Sequence, residues 1–162
     1  MPAKRLALLR HAEAEPARPD LPDAARRLNR RGRHEATEAA RCLTMAGLQV
    51  DALLLSPAVR TRETARILAS ELAVRVDPRL EPGMYLGSPE ALWQALRHCG
   101  EADGTVLMIG HNPGLSAFAR QFRQGEEPLE LRTAGICLVE FAAGGSWREL
   151  LPRLATACRT LR

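Results

Sequence analysis

The sequence predicts a three-layer α/β fold closed by a C-terminal antiparallel hairpin, and three observations carry that expectation. Short runs that are apolar throughout, Leu6 to Leu9, Ala52 to Leu55 and Val106 to Ile109, read as strands buried on both faces. Segments with helical apolar spacing alternate with them, the pattern of strand-helix-strand units. The pairs Ser56-Pro57, Ser88-Pro89 and Asn112-Pro113 stand where such helices should open, a capping side chain followed by a proline that lacks an amide hydrogen.

In chain order, Leu6 to Leu9 forms a first strand that ends abruptly in Arg10-His11. Glu13 to Arg26 contains Pro16, Pro19 and Pro22 and reads as a loop able to rim whatever His11 serves. Asn29 caps a helix to about Ala46, with Ala36, Ala39, Ala40 and Leu43 on one face and Gly47 as its stop. Asp51 to Ser56 is the second strand. Ser56-Pro57 opens a helix to about Leu72, and Leu72 to Val76 reads as a third strand. Arg79 to Gly87 is a loop, and Ser88-Pro89 opens a helix that Gly100 ends. Thr105 to Gly110 is the fourth strand, and Asn112 caps the helix after it. Gly135 to Phe141 and Ser146 to Leu151 flank Gly144-Gly145 and predict the hairpin.

Composition narrows the function classes. With 162 residues, 46% apolar and 26% charged, residues 1–162 are expected to form a single soluble domain. No stretch is long and apolar enough for a signal sequence or a membrane span, so the cytoplasm is the expected location. Cys42, Cys99, Cys137 and Cys158 lie far apart without a C-x-x-C pair, which suggests reduced thiols rather than a zinc or redox motif. The formal charge of +4 suits an anionic partner. Six aromatic residues with no basic interleaving leave little for stacking nucleic-acid bases, so no nucleic-acid partner is expected. Arg26, Arg27, Arg30, Arg31 and Arg33 form a basic run at a helix start, read mainly as a solvated face.

The chemistry lies at the strand ends. In a parallel sheet Arg10-His11, Ser56 and His111 reach one edge, and Arg60, one turn into the following helix, leans back over it. Two arginine forks suit phosphate oxygens and can stabilise charge in phosphoryl transfer. Like charge beside His11 keeps its imidazole neutral, as a nucleophile requires. His111 is placed to bond a phosphoryl oxygen. Neutralisation by side chains removes the need for a metal. Ser56 and Asn112 are capping residues that could also touch phosphate.

The stretches Leu9-Arg10-His11-Ala12, Ser56 to Ala65 and Gly110-His111-Asn112-Pro113 resemble, in order and spacing, the motifs of the histidine phosphatase superfamily. The short chain, Arg27 to Gly32 and the closing hairpin make it most similar to the small bacterial phosphohistidine phosphatases. The resemblance implies a phosphoglycerate-mutase-like αβα sandwich with a mostly parallel central sheet. It also implies a phosphohistidine intermediate on His11, phosphate binding by Arg10, Arg60 and His111, and no metal or organic cofactor. Ala12 stands where the superfamily usually has glycine.

Larger members carry an acidic proton donor in an inserted segment that here shrinks to Asp77 to Pro89. Glu81 is the candidate acid there, and Glu13 is a second. A weak acid favours substrates whose leaving group needs little help, and phosphohistidine is one of them. The expected substrate is therefore a phosphorylated protein. A small phosphate ester such as a sugar phosphate is the alternative, and a noncatalytic phosphate- or phosphoprotein-binding module is the reading of another class.

Overall fold

The computed structural model describes residues 3–72, 76–123, 125, 128–142 and 145–161. Strands β1 (Lys4–Arg10), β2 (Ala52–Leu55), β3 (Arg79–Leu80), β4 (Thr105–Gly110), β5 (Ile136–Phe141) and β6 (Ala155–Leu161) form one sheet in the order β3-β2-β4-β1-β5-β6. β3, β2, β4 and β1 run parallel, and β5 is antiparallel to both β1 and β6.

Period-two alternation divides each central strand between two cores. Ala7 and Leu9 face helices α1 (Arg30–Met45) and α2 (Val59–Leu72) with Leu43 and Leu68. Leu6 and Leu8 face α3 (Pro89–Arg97) and α4 (Gly114–Arg120) with Leu92, Leu115 and Phe118. Burial on both faces is why these strands read as continuous apolar runs. No described helix is long and apolar enough to cross a membrane.

Two predicted helix starts move inward. α2 opens at Val59 rather than Pro57, because the Ser56 hydroxyl accepts from Ala58 N at 3.3 Å and holds residues 56–58 in a bend. α4 opens at Gly114, although Asn112 Oδ1 still accepts from Ser116 N. Asn29 and Ser88 cap as expected, accepting from Gly32 N and Ala91 N.

The predicted third strand at 72–76 does not appear where it can be judged. Leu72 ends α2, Val76 lies outside any strand, and residues 73–75 fall outside the described residues. The strand beside β2 is Arg79–Leu80, in the segment read as loop. The hairpin also needs correcting. β5 pairs with β6, not with Ser146 to Leu151. That segment is apolar because Trp147 and Leu150 plug the core, with Trp147 Nε1 donating to Asp103 O at 2.6 Å. β6 is a half-exposed edge strand of mixed polarity, which is why its pattern was faint.

α1 presses its first turn onto the backbone just beyond β1, where a Cβ at Gly32 would lie 1.9 Å from Glu13 O. Gly32→Ala is expected to destabilise the fold by about 1–3 kcal/mol through overpacking, read as a lower urea midpoint with unchanged slope.

Candidate active site

The carboxyl ends of β1, β2 and β4 open into a cleft of about 360 Å³ whose walls include Arg10, His11, Asp23, Arg26, Arg60 and His111. A larger depression of about 480 Å³ near Glu130 and Leu161 has no histidine or cysteine among its described lining residues, whereas the smaller cleft gathers two histidines and three arginines.

His11 leaves β1 with its backbone pinned. Its N donates to Gly110 O, and the next amide, Ala12 N, donates to Thr64 Oγ1 of α2 at 3.1 Å. The ring is pinned too. Nδ1 bonds Ala12 O at 2.8 Å, which places the proton there, and Nε2 accepts from Arg60 Nε at 3.2 Å. The lone pair that a nucleophile needs therefore faces Arg60 and the cleft. Burial, with help from the Arg60 and Arg10 charges, lowers the His11 pKa to about 4 despite the opposing bond to Ala12.

His111 holds the opposite tautomer. Its Nδ1 accepts from Arg60 Nη2 at 3.3 Å, so Nε2 donates to Ser56 Oγ at 2.7 Å. Burial first, then the neighbouring His11 and Arg60, lowers its pKa to about 3. The two rings lie 5.1 Å apart. Ser56 is thus both a turn former and the orienting partner of His111.

Arg60 joins these groups to a residue that the sequence pattern did not single out. Its Nη1 donates to Asp23 O at 2.7 Å and its Nη2 to Asp23 Oδ2 at 2.9 Å. Asp23 sits on a short turn, Asp23–Ala25, within the proline-rich loop, and it also accepts from Tyr85 Oη at 2.6 Å and from Arg26 Nε at 2.9 Å. The Tyr85 hydroxyl is the first cause, ahead of the two arginines, holding the Asp23 carboxyl well below the usual carboxylate range. The loop after His11 is therefore a cleft wall. Only a short acidic residue beside prolines marked Asp23 in the sequence, a pattern shared with ordinary surface turns.

Arg10 donates Nη1 to Leu131 O at 3.0 Å, while its buried Nε has no partner among the described residues and stands beside the cleft as an unused donor. Asn112 lines the cleft, but its amide is committed to Leu131 O and its carbonyl to Ser116. The two candidate acids separate. Glu13 lines the cleft and lies 3.6 Å from Arg31 Nε. Glu81 does not line it; the Glu81 amide extends the β2–β3 edge, and the carboxylate acts electrostatically on Cys99, which burial raises to about 11. Of the basic run, Arg26 faces the cleft, Arg27 pairs with Glu63, Arg31 pairs with Glu35, and Arg33 bonds Leu28 O.

Among the described residues no group of three His, Cys, Asp or Glu side chains is placed to hold a metal ion. Permanently charged arginine forks and a neutral imidazole are instead a set suited to moving a phosphoryl group.

Comparison with known proteins places the family and the fold. The family model of the histidine phosphatase superfamily (branch 1) matches residues 6–97, and the chain belongs to that superfamily. An uncharacterized protein of Picosynechococcus is 31% identical over 123 residues, covering 70% of this chain and 71% of that one. Among solved structures, a protein of Nakamurella provisionally assigned as the phosphohistidine phosphatase SixA superposes with TM-score 0.82 at 24% identity, covering 100% of this chain and 96% of that one. A second provisional SixA, from Agrobacterium tumefaciens, superposes with TM-score 0.77 at 28% identity over 87% of this chain and 93% of that one.

The histidine pKa values set a pH dependence of stability. Unfolded histidine takes up a proton near pH 6.5, whereas His11 and His111 stay neutral in the fold down to about 4 and about 3. The unfolded chain binds more protons in that window. Stability is therefore fully present above pH 6.5 and falls as pH drops toward 4, by about 1.4 kcal/mol per pH unit for each histidine. Chemical denaturation across pH 7 to 4 should show a shallower decline for His111→Asn than for wild type.

Proposed function

We propose that this protein is a metal-independent phosphatase that works through a phosphohistidine on His11 and acts on phosphohistidine in proteins. The observation carrying the reading is the His11 ring, neutral and locked by Ala12 O so that Nε2 presents its lone pair among the Arg10, Arg60 and His111 side chains.

In the first step His11 Nε2 forms a bond to phosphorus as the substrate P–N bond breaks. Arg10 and Arg60 hold the phosphoryl oxygens, with Arg60 leaving its present partners to do so. The anionic phosphoryl group offsets the like charge around His111, so its Nδ1, released by Arg60, takes a proton from solvent, donates to a phosphoryl oxygen, and gives the proton back to solvent when phosphate leaves. Water then attacks phosphorus, releasing inorganic phosphate and the neutral His11.

The leaving group supports the choice of substrate. Asp23 is held ionised by Tyr85, Arg26 and Arg60 and is a poor proton donor, while Glu81 stands off the cleft. An imidazole protonated on its far nitrogen departs neutral and needs no acid, unlike an alkoxide. The name carried by the Agrobacterium protein, at 28% identity, points the same way. Glu13 on the cleft wall favours a second reading, hydrolysis of small phosphate esters with Glu13 as acid.

His11→Ala is expected to abolish both turnover and the acid-labile phosphoenzyme seen after a rapid quench, and Arg10→Ala or Arg60→Ala to lower kcat by about 10²–10³. Phosphate binding by His11→Ala with no turnover in the wild type would instead indicate a noncatalytic binding module. A substrate panel of phosphohistidine protein, sugar phosphates and an aryl phosphate, run with and without chelator, separates the remaining readings. Phosphohistidine should be preferred, with Glu13→Gln and chelator each changing its turnover by less than about threefold. A preference for sugar phosphates lost in Glu13→Gln would establish the second reading, and loss of activity with chelator would refute metal independence.

A further inference from the structure

Leu86 combines features that packing does not explain. Its φ is +49°, a left-handed conformation that glycine or asparagine adopts at lower cost. Its side chain is not core material, since 56% of the residue's surface is exposed. Leu86 lies on the wall of the active cleft, where among the described residues it is the one large apolar side chain in a mostly charged and polar lining.

The backbone around it is held on both sides. Tyr85 N donates to Pro82 O, Gly87 N donates to Met84 O, and the Tyr85 hydroxyl is tied to Asp23. Gly87 is wedged under the start of α4, where a Cβ on Gly114 would lie 1.8 Å from Gly87 O. A strained residue persists when its surroundings over-determine it, and such residues concentrate at sites of function. Here the strain aims an apolar surface into a polar cleft.

We propose that Leu86 is a specificity-determining residue, packing against a planar, weakly polar leaving group while Arg10 and Arg60 hold the phosphoryl oxygens. The inference rests on the phosphatase reading above, and it assigns the imidazole of phosphohistidine to this contact. The other exposed large apolar residues, Met45, Leu80 and Leu154, do not line the cleft, so Leu86 is not one of a scattered set. A leucine face suits the ring because it strips water from an apolar surface without competing for the phosphate charge.

The test compares Leu86→Gly and Leu86→Ala with wild type on two matched pairs: phosphoimidazole against phosphoramidate, and phenyl phosphate against methyl phosphate. The members of each pair differ in the ring and in leaving-group basicity, and taking the variant-to-wild-type ratio on each substrate cancels the second difference. On the ring-bearing member kcat/KM should fall about tenfold, mainly through KM, and on the ringless member it should stay within about twofold of wild type. Leu86→Gly, which relieves the positive φ, should melt no lower than wild type, so a loss of activity cannot be assigned to unfolding. An equal loss on both members, or none on either, overturns the proposal. If wild type turns over only the ester pair, the phosphohistidine reading fails while the ring-to-ringless ratio still judges Leu86. If it turns over neither pair, both fail.

Discussion

Arg60 is the residue on which the site depends. It is 2% exposed, and its three guanidinium nitrogens reach His11, the second histidine His111 and both the backbone and the carboxylate of Asp23. A buried guanidinium cannot lose its proton, so everything around it must accept hydrogen bonds or balance its charge. Asp23 does both, and in doing so draws the proline-rich loop against the cleft. The histidines answer as neutral acceptors. One cation therefore bonds both imidazoles, adds to the burial that lowers both pKa values, and fixes the position of a loop.

The same constraint governs reactivity. His11 is neutral because its ring is largely withdrawn from water and faces positive charge, and its lone pair is at Nε2, accepting from Arg60, because Nδ1–H donates to Ala12 O. His111 is the mirror case, with Ser56 taking the Nε2 proton. A phosphoryl group entering the cleft brings the negative charge that this arrangement lacks. Arg10 Nε is buried there without a partner among the described residues. Leu86 adds an apolar contact at the same cleft, held in a backbone conformation that costs stability. Charge and shape are thus supplied by different segments.

Much of this was legible in the sequence, and the reason differs from element to element. β1, β2 and β4 were readable because burial on both faces leaves no polar position to blur the run. β6 was not, because an edge strand alternates with solvent, while the apolar Ser146 to Leu151 imitated a strand by filling the core with Trp147. At the site, Arg10, His11, Arg60 and His111 stood out as charged or titratable groups at the ends of apolar strands. Asp23 did not, and Tyr85 read equally as a rim residue or as one buried against the sheet, since the Arg60–Asp23 and Tyr85–Asp23 contacts span 37 and 62 residues of chain.

By itself the sequence determined the α/β alternation, the helix caps at Asn29 and Ser88, and the strand ends at which the histidines and arginines stand, because these follow from local periodicity and backbone chemistry. Only the tertiary structure decided which carboxylates face the cleft, which nitrogen of each histidine carries the proton, and that Leu86 is strained and exposed. Those are properties of distances between remote segments and of the water excluded between them, and no local pattern of residues encodes either.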